Sequence, residues 1–209
     1  MEQQIVEHMR EQFNPLSIII HGSRAVGRER PHSDWDFFLL YDDARELPKN
    51  GRLIWNDQNI EFTHHQLPIK NIEDEFGVKL QFGRLVYDEN GEGAELVARA
   101  KEHYSQPAGW SETDDYNHRL WMKGRVDGMR DTLDQPLIFE RYASDFYARI
   151  TNYWYWAIHD SFPKPIYLAL EEIAEKDPGH LALIEQFVEE TDRTKRFEAA
   201  EEIKRRCFG

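Results

Sequence analysis

The sequence predicts an α+β protein: a mixed β-sheet with helices in residues 1–106, followed by an all-α helical bundle in residues 110–209. Three observations carry that reading. Short β-branched and aromatic runs, Leu16–Ile20 and Trp35–Tyr41 among them, are confined to the first half. Past Ser105-Gln106-Pro107-Ala108-Gly109, which looks like a linker, the apolar period becomes that of amphipathic helices. Prolines and capping residues then punctuate five helical stretches.

In chain order, Ile5, Met9 and Phe13 fall at helical spacing in residues 2–13, and Asn14-Pro15 ends that helix. Leu16 to His21 has no polar alternation and reads as a buried strand, broken by Gly22-Ser23. A polar, Arg-rich stretch leads to a second strand, Trp35 to Tyr41. Arg52–Trp55 and Asn59–His64 read as a hairpin around Asn56-Asp57-Gln58. A short helix is expected at Pro68–Phe76, a strand at Leu85–Tyr87 and a helix at Glu92–Tyr104. The bundle helices are expected at Thr113–Leu133, Leu137–Asp160, Ile166–Lys176, Leu181–Glu190 and Thr194–Cys207, with Asp192 as an N-cap. Tyr142, Phe146, Ile150, Trp154 and Ile158 fall near one stripe of the second of these. Tyr153 to Trp156 are too many consecutive aromatics for that stripe, so at least one is expected to leave the core, for packing on the first domain, a ligand cleft or a homodimer contact.

The composition excludes several classes. With 209 residues there is ample chain for a core, yet mean hydropathy is −0.75, and no apolar run approaches the ~18–20 residues of a membrane helix. The N-terminus carries no signal-peptide pattern, and the single Cys207 allows neither an internal disulfide nor a cysteine-based zinc site, so a cytoplasmic location is expected. Net charge is −13, spread evenly: twelve basic against nineteen acidic residues in 1–110, fourteen against twenty in 111–209. That balance disfavours a nucleic-acid partner. It suits a cationic small substrate, and equally suits plain solubility.

The chemistry is concentrated in His21-Gly22-Ser23 and, after ten intervening residues, Asp34-Trp35-Asp36-Phe37-Phe38-Leu39. Carboxylates two apart on a strand share a face. Like charges that close repel unless a cation lies between them, and an all-oxygen pair suits Mg²⁺ completed by substrate phosphates. Gly22 permits close backbone approach, Ser23 offers donors to a phosphate, and Arg24 can add a charge-assisted contact. An isolated Asp-x-Asp is ordinarily solvated surface, and Gly-Ser after a strand ordinary turn chemistry. Here both precede an apolar run in which exposed acids should be scarce.

Gly22-Ser23-Arg24-Ala25, the ten-residue spacing and the Asp34-x-Asp36 strand resemble the polymerase-β-type nucleotidyltransferase superfamily, over about the first third of the chain. In layout the helical tail is similar to that of aminoglycoside nucleotidyltransferases. The resemblance implies that residues 1–106 are a nucleotidyltransferase domain using ATP or another nucleoside triphosphate with two Mg²⁺ ions. It implies that Asp34 and Asp36 are catalytic metal ligands and that Gly22, Ser23, Arg24 and Ser33 bind nucleotide. A third carboxylate is implied on an adjacent strand, and Glu61, an acid inside an apolar run, is the candidate for metal ligand or base, with an edge-strand surface role as the alternative. Trp35 departs from the small aliphatic residue usual between the aspartates.

The reaction implied is transfer of AMP from ATP to a hydroxyl of a small cationic acceptor such as an aminoglycoside, held in a cleft that a two-domain layout offers, with release of pyrophosphate. A protein-adenylylating antitoxin-type enzyme and a non-catalytic nucleotide-binding protein are the alternatives. Other candidates are weaker. His64-His65 alternate faces, Lys123, Arg125 and Arg130 read as a solvated helix face, and nothing in the sequence selects Asp114, Asp115, Glu140 or Asp145 as substrate contacts. Arg149 and His159 are too far apart for a ribonuclease-type partner domain.

Overall fold

The computed structural model describes residues 1–42, 46–72 and 75–209. It divides into two compact units, Met1–Gln106 and Pro107–Gly209.

In the first unit, helix α1 (Glu2–Phe13) buries Ile5, Val6 and Met9 and ends on Asn14 in the left-handed conformation (φ 48°, ψ 53°). Strand β1 (Ser17–His21) and strand β2 (Trp35–Tyr41) pair antiparallel. Strands β3 (Gly51–Trp55) and β4 (Gln58–Gln66) form a hairpin whose turn residues Asn56 and Asp57 both have positive φ. This is the backbone twist that two-residue hairpins need. Strand β5 (Arg84–Asp88) completes the sheet, in the order β3-β4-β2-β1-β5, with β2 and β4 parallel and the other pairs antiparallel.

Both faces of the sheet are covered. Ile18, Ile20, Phe37, Leu39 and Tyr41 pack under α1 with Trp35, Ile60 and Phe62. On the opposite face, Ile19, Phe38 and Leu40 are buried as well, beneath helix α3 (Glu75–Leu80) and helix α4 (Glu92–Ser105). Burial on both faces explains why β1 and β2 read as continuous apolar runs. Asp36 is the one interruption of burial along β2.

The helix expected at Pro68–Phe76 is displaced toward the C-terminus, as α3. Residues 67–72 are not helical, and 73–74 lie outside the described residues. The carbonyls of Ile69 and Ile72, which a helix there would need, accept instead from Arg99 and from the Tyr104 hydroxyl, both on α4.

Among the described residues the second unit holds six helices: α5 (Glu112–Asp131), α6 (Pro136–Tyr147), α7 (Ile150–Ile158), α8 (Ile166–Lys176), α9 (Pro178–Glu189) and α10 (Arg193–Phe208). Ser111 and Asp114 form a reciprocal capping box on α5, and Asp177 and Asp192 cap α9 and α10. The single helix expected over Leu137–Asp160 is two, because Arg149 leaves helical geometry (φ −127°, ψ 8°). The break reorients α7 so that other helices surround it: Tyr153, Trp154 and Tyr155 are all buried, and Ile158 is exposed. Of the aromatic run Tyr153–Trp156, three are therefore in the core and one stands at its margin, as the excess of aromatics over one stripe required. Trp156 alone is half-buried, stacked on His118 at 3.9 Å. No helix among the described residues is long and apolar enough to cross a membrane.

Trp154 is fully buried at the centre of this core. Trp154→Ala is expected to lower the unfolding free energy of the second unit by about 3–5 kcal/mol, read from urea transitions followed by circular dichroism.

Candidate functional site

The sheet registers align one residue from each of four strands in a row. His21 on β1 lies opposite Asp36 on β2, Asp36 opposite Glu61 on β4, and Glu61 opposite Arg52 on β3. Residues paired across strands share a face, so a histidine, two acids and an arginine line the same side of the sheet.

The turn after β1 is pressed against this row. Gly22 opens the four-residue helix α2 (Gly22–Ala25) with φ +71°, and a Cβ built on it would stand 2.4 Å from Asp36 Oδ2. Only glycine combines that backbone conformation with that clearance. Ser23 follows on α2, so the turn and the Asp36 carboxylate are immediate neighbours.

Burial, followed by the charges of Glu61 and Asp34, holds the Asp36 carboxyl above its ordinary value, against the opposing pull of Lys79 and Arg24. The same influences show that Asp34 and Glu61 stand near enough to be felt at Asp36. Burial also pushes His21 down to about 3, with Lys79 and His65 adding to it. The imidazole, stacked on Phe38 at 3.9 Å, is therefore neutral throughout the physiological range.

The remaining residues take more specific positions than their spacing implied. Asp34 precedes β2 and is exposed. Glu61 Oε2 accepts from Arg52 at 2.7 Å (Nε) and 2.6 Å (Nη2). The Arg24 guanidinium donates to the carbonyls of Ser33 and Asp34 and lies over the Trp35 ring. The Ser33 hydroxyl accepts from the Arg30 amide and closes the preceding loop. Sequence reasoning missed Arg52 and Lys79, whose sole signal was alternation in short strands and helices. Beside Asp34 and Glu61 a cavity of about 470 Å³ is lined by Arg52, Ile54 and Asn59, among others.

The donor set at these acids is all oxygen, and the part of the Asp36 shift that comes from Glu61 and Asp34, after burial, would be relieved by a cation. Among the described residues no group of three His, Cys, Asp or Glu side chains could hold an ion by itself. The residues therefore fit an ion that draws further ligands from bound phosphates, not a closed protein cage.

Other candidates resolve as structure. His64 Nδ1 meets the Tyr41 hydroxyl at 2.9 Å, and His65 Nε2 meets Thr63 Oγ1. Lys123 and Arg130 pair with Asp127, and Arg125 with Asp145. Asp114 belongs to the cap of α5, Asp115 holds Arg119, and Glu140 holds Arg196. Cys207 is a buried free thiol pushed up to about 12 by burial.

A glycine turn is thus packed on a row of carboxylates at the head of a mixed sheet. Residues 3–88 match the family described as polymerase beta, nucleotidyltransferase. Residues 3–88 of the first unit therefore carry a nucleotidyltransferase domain of that type. A nucleotidyltransferase-like protein from Exiguobacterium sibiricum 255-15, known from a crystal structure, aligns over 99% of this chain and 75% of its own, at 11% identity and a TM-score of 0.48. No curated protein matches the chain in sequence.

Because the Asp36 carboxyl sits above its ordinary 3.8 in the folded state, its ionised form destabilises the fold at neutral pH. That cost vanishes once folded and unfolded chains are both protonated. In chelator, Asp36→Asn is expected to unfold at higher urea concentration than the parent at pH 7. The gap is expected to close as the pH falls to about 4. Parallel transitions across that range would overturn the assignment.

Proposed function

We propose that the protein transfers a nucleoside monophosphate, AMP from ATP, to a hydroxyl of a small cationic acceptor of the aminoglycoside type and releases pyrophosphate. The observation that carries the reading is the contact of the Gly22 turn with Asp36, in register with Glu61. In this reading a triphosphate tail lies on that turn, directly beside the acidic groups.

In this reading the Gly22-Ser23 turn holds the β- and γ-phosphates, and Asp34 and Asp36 hold Mg²⁺. Bound there, the ion would neutralise charge on the α-phosphate and the leaving group. The acceptor oxygen forms its bond to the α-phosphorus as the bond to the α–β bridging oxygen breaks, and both electrons of that bond leave with pyrophosphate. The hydroxyl proton passes to Glu61, which borders the cavity together with Asp34. Both Arg52 contacts fall on Oε2, which leaves Oε1 as the oxygen that takes the proton. The net charge of −13 favours a cationic acceptor over an anionic one. The chain contributes mainly position and charge, as phosphoryl-group chemistry requires.

Incubation with Mg²⁺, α-labelled ATP and a panel of aminoglycosides is expected to yield an acceptor heavier by one AMP, with loss of at least about 100-fold in Asp36→Asn. Label on a co-purifying protein would replace the acceptor. Full turnover by Asp36→Asn would overturn the site.

A further inference from the structure

We propose that Arg24 is a positioning residue: it fixes the backbone of Ser33 and Asp34, with the Trp35 ring as its platform, and thereby sets where the Asp34 carboxylate stands beside Asp36. The inference rests on the functional reading above and deepens it by giving Arg24 a role other than phosphate contact.

Asp34 needs such a support. The ladder between β1 and β2 ends at His21 and Asp36, and that between β2 and β4 begins at Trp35 and Ile60. Asp34 therefore lies beyond the sheet's register, and its side chain is exposed. A carboxylate on an untethered loop would lose its geometry relative to Asp36 and with it any shared ion.

The tether is the Arg24 guanidinium. Nε donates to Ser33 O at 3.2 Å and to Asp34 O at 3.1 Å, and Nη2 donates to Ser33 O at 2.8 Å. Its Cζ lies 4.2 Å from the Trp35 ring centroid, and Trp35 is itself buried, with its indole N–H donated to Gln58. On the far side, the Arg30 amide donates to Ser33 Oγ and the Ser33 amide to Arg30 O, so the loop is held from both directions. Arg24 belongs to α2, two residues past Gly22, so one side chain ties the turn to the loop that carries the second acid. This also accounts for Trp35, too bulky for its place by family pattern: a flat ring is what a guanidinium stacks on. A lysine would keep the charge but could not span two carbonyls and stack at once.

The test compares Arg24→Lys, Arg24→Gln, Trp35→Phe and Trp35→Leu with the parent, after thermal melts establish which variants fold. Two readouts are taken: amide hydrogen exchange of the 30–36 peptide in the free protein, and Mn²⁺ affinity by electron paramagnetic resonance with a non-hydrolysable ATP analogue. Arg24→Lys is expected to behave like Arg24→Gln. Both should exchange about tenfold faster and bind Mn²⁺ about tenfold more weakly, while affinity for the metal-free analogue changes little. Trp35→Phe should restore most of what Trp35→Leu loses. Parental exchange and Mn²⁺ affinity in Arg24→Lys would overturn this inference alone. So would an analogue affinity that falls in Arg24→Gln and is rescued by lysine, which assigns Arg24 to the phosphates. Parent protein that takes up no Mn²⁺ with the analogue, as Asp36→Asn should not, would overturn the functional reading and this inference with it.

Discussion

Everything in the first unit is arranged around one crowded contact, the Gly22 backbone against the Asp36 carboxylate. The space a Cβ would fill is taken by Asp36 Oδ2, and the glycine holds a φ of +71° that other residues rarely adopt. Strand β1 brings the turn to this point and β2 brings the acid. Their antiparallel register, which ends at His21 and Asp36, brings the turn and the acid together. The heavy apolar content of both strands follows from the same demand, since a sheet covered on two faces is stiff enough to hold polar groups at its end.

Electrostatics set the second constraint. Asp36 is pushed up first by its burial and then by the charges of Glu61 and Asp34, and only part of this is answered within the chain, by Arg52 on Glu61 and by the influence of Lys79 and Arg24. Such an arrangement is unfavourable for the isolated fold, and a cation held at these acids would relieve it. Arg24 shows the complementary principle. Its donors point to backbone carbonyls of the loop that carries Asp34. Arginine's fork can build a site as readily as it can bind a substrate.

The second unit obeys packing alone. Its charged residues pair along helix faces, and its core closes around α7, whose consecutive buried aromatics demand neighbours on nearly every side. The helical period made these helices legible, with Pro136, Asp177-Pro178 and Asp192 as boundaries. It did not reveal the break at Arg149, which involves neither proline nor glycine and arises because a straight helix could not bury Tyr153, Trp154 and Tyr155 together. The missed helix at Pro68–Phe76 has a similar origin, in carbonyls captured by Arg99 and Tyr104 from 30 residues away in sequence.

Local information was enough for whatever depends on neighbours in the chain: the strands β1 and β2, the Asn56-Asp57 turn, the helix caps, and the presence of a Gly-Ser turn separated by ten residues from two acids on one strand. The spacing of acids along a strand is a covalent matter, and so was visible at once. Which acid stands opposite which, that Glu61 is held by Arg52, and that Arg24 grips Ser33 and Asp34 were decided only by tertiary structure. Strand register and the reach of long side chains join residues through space, and no spacing along the chain encodes them.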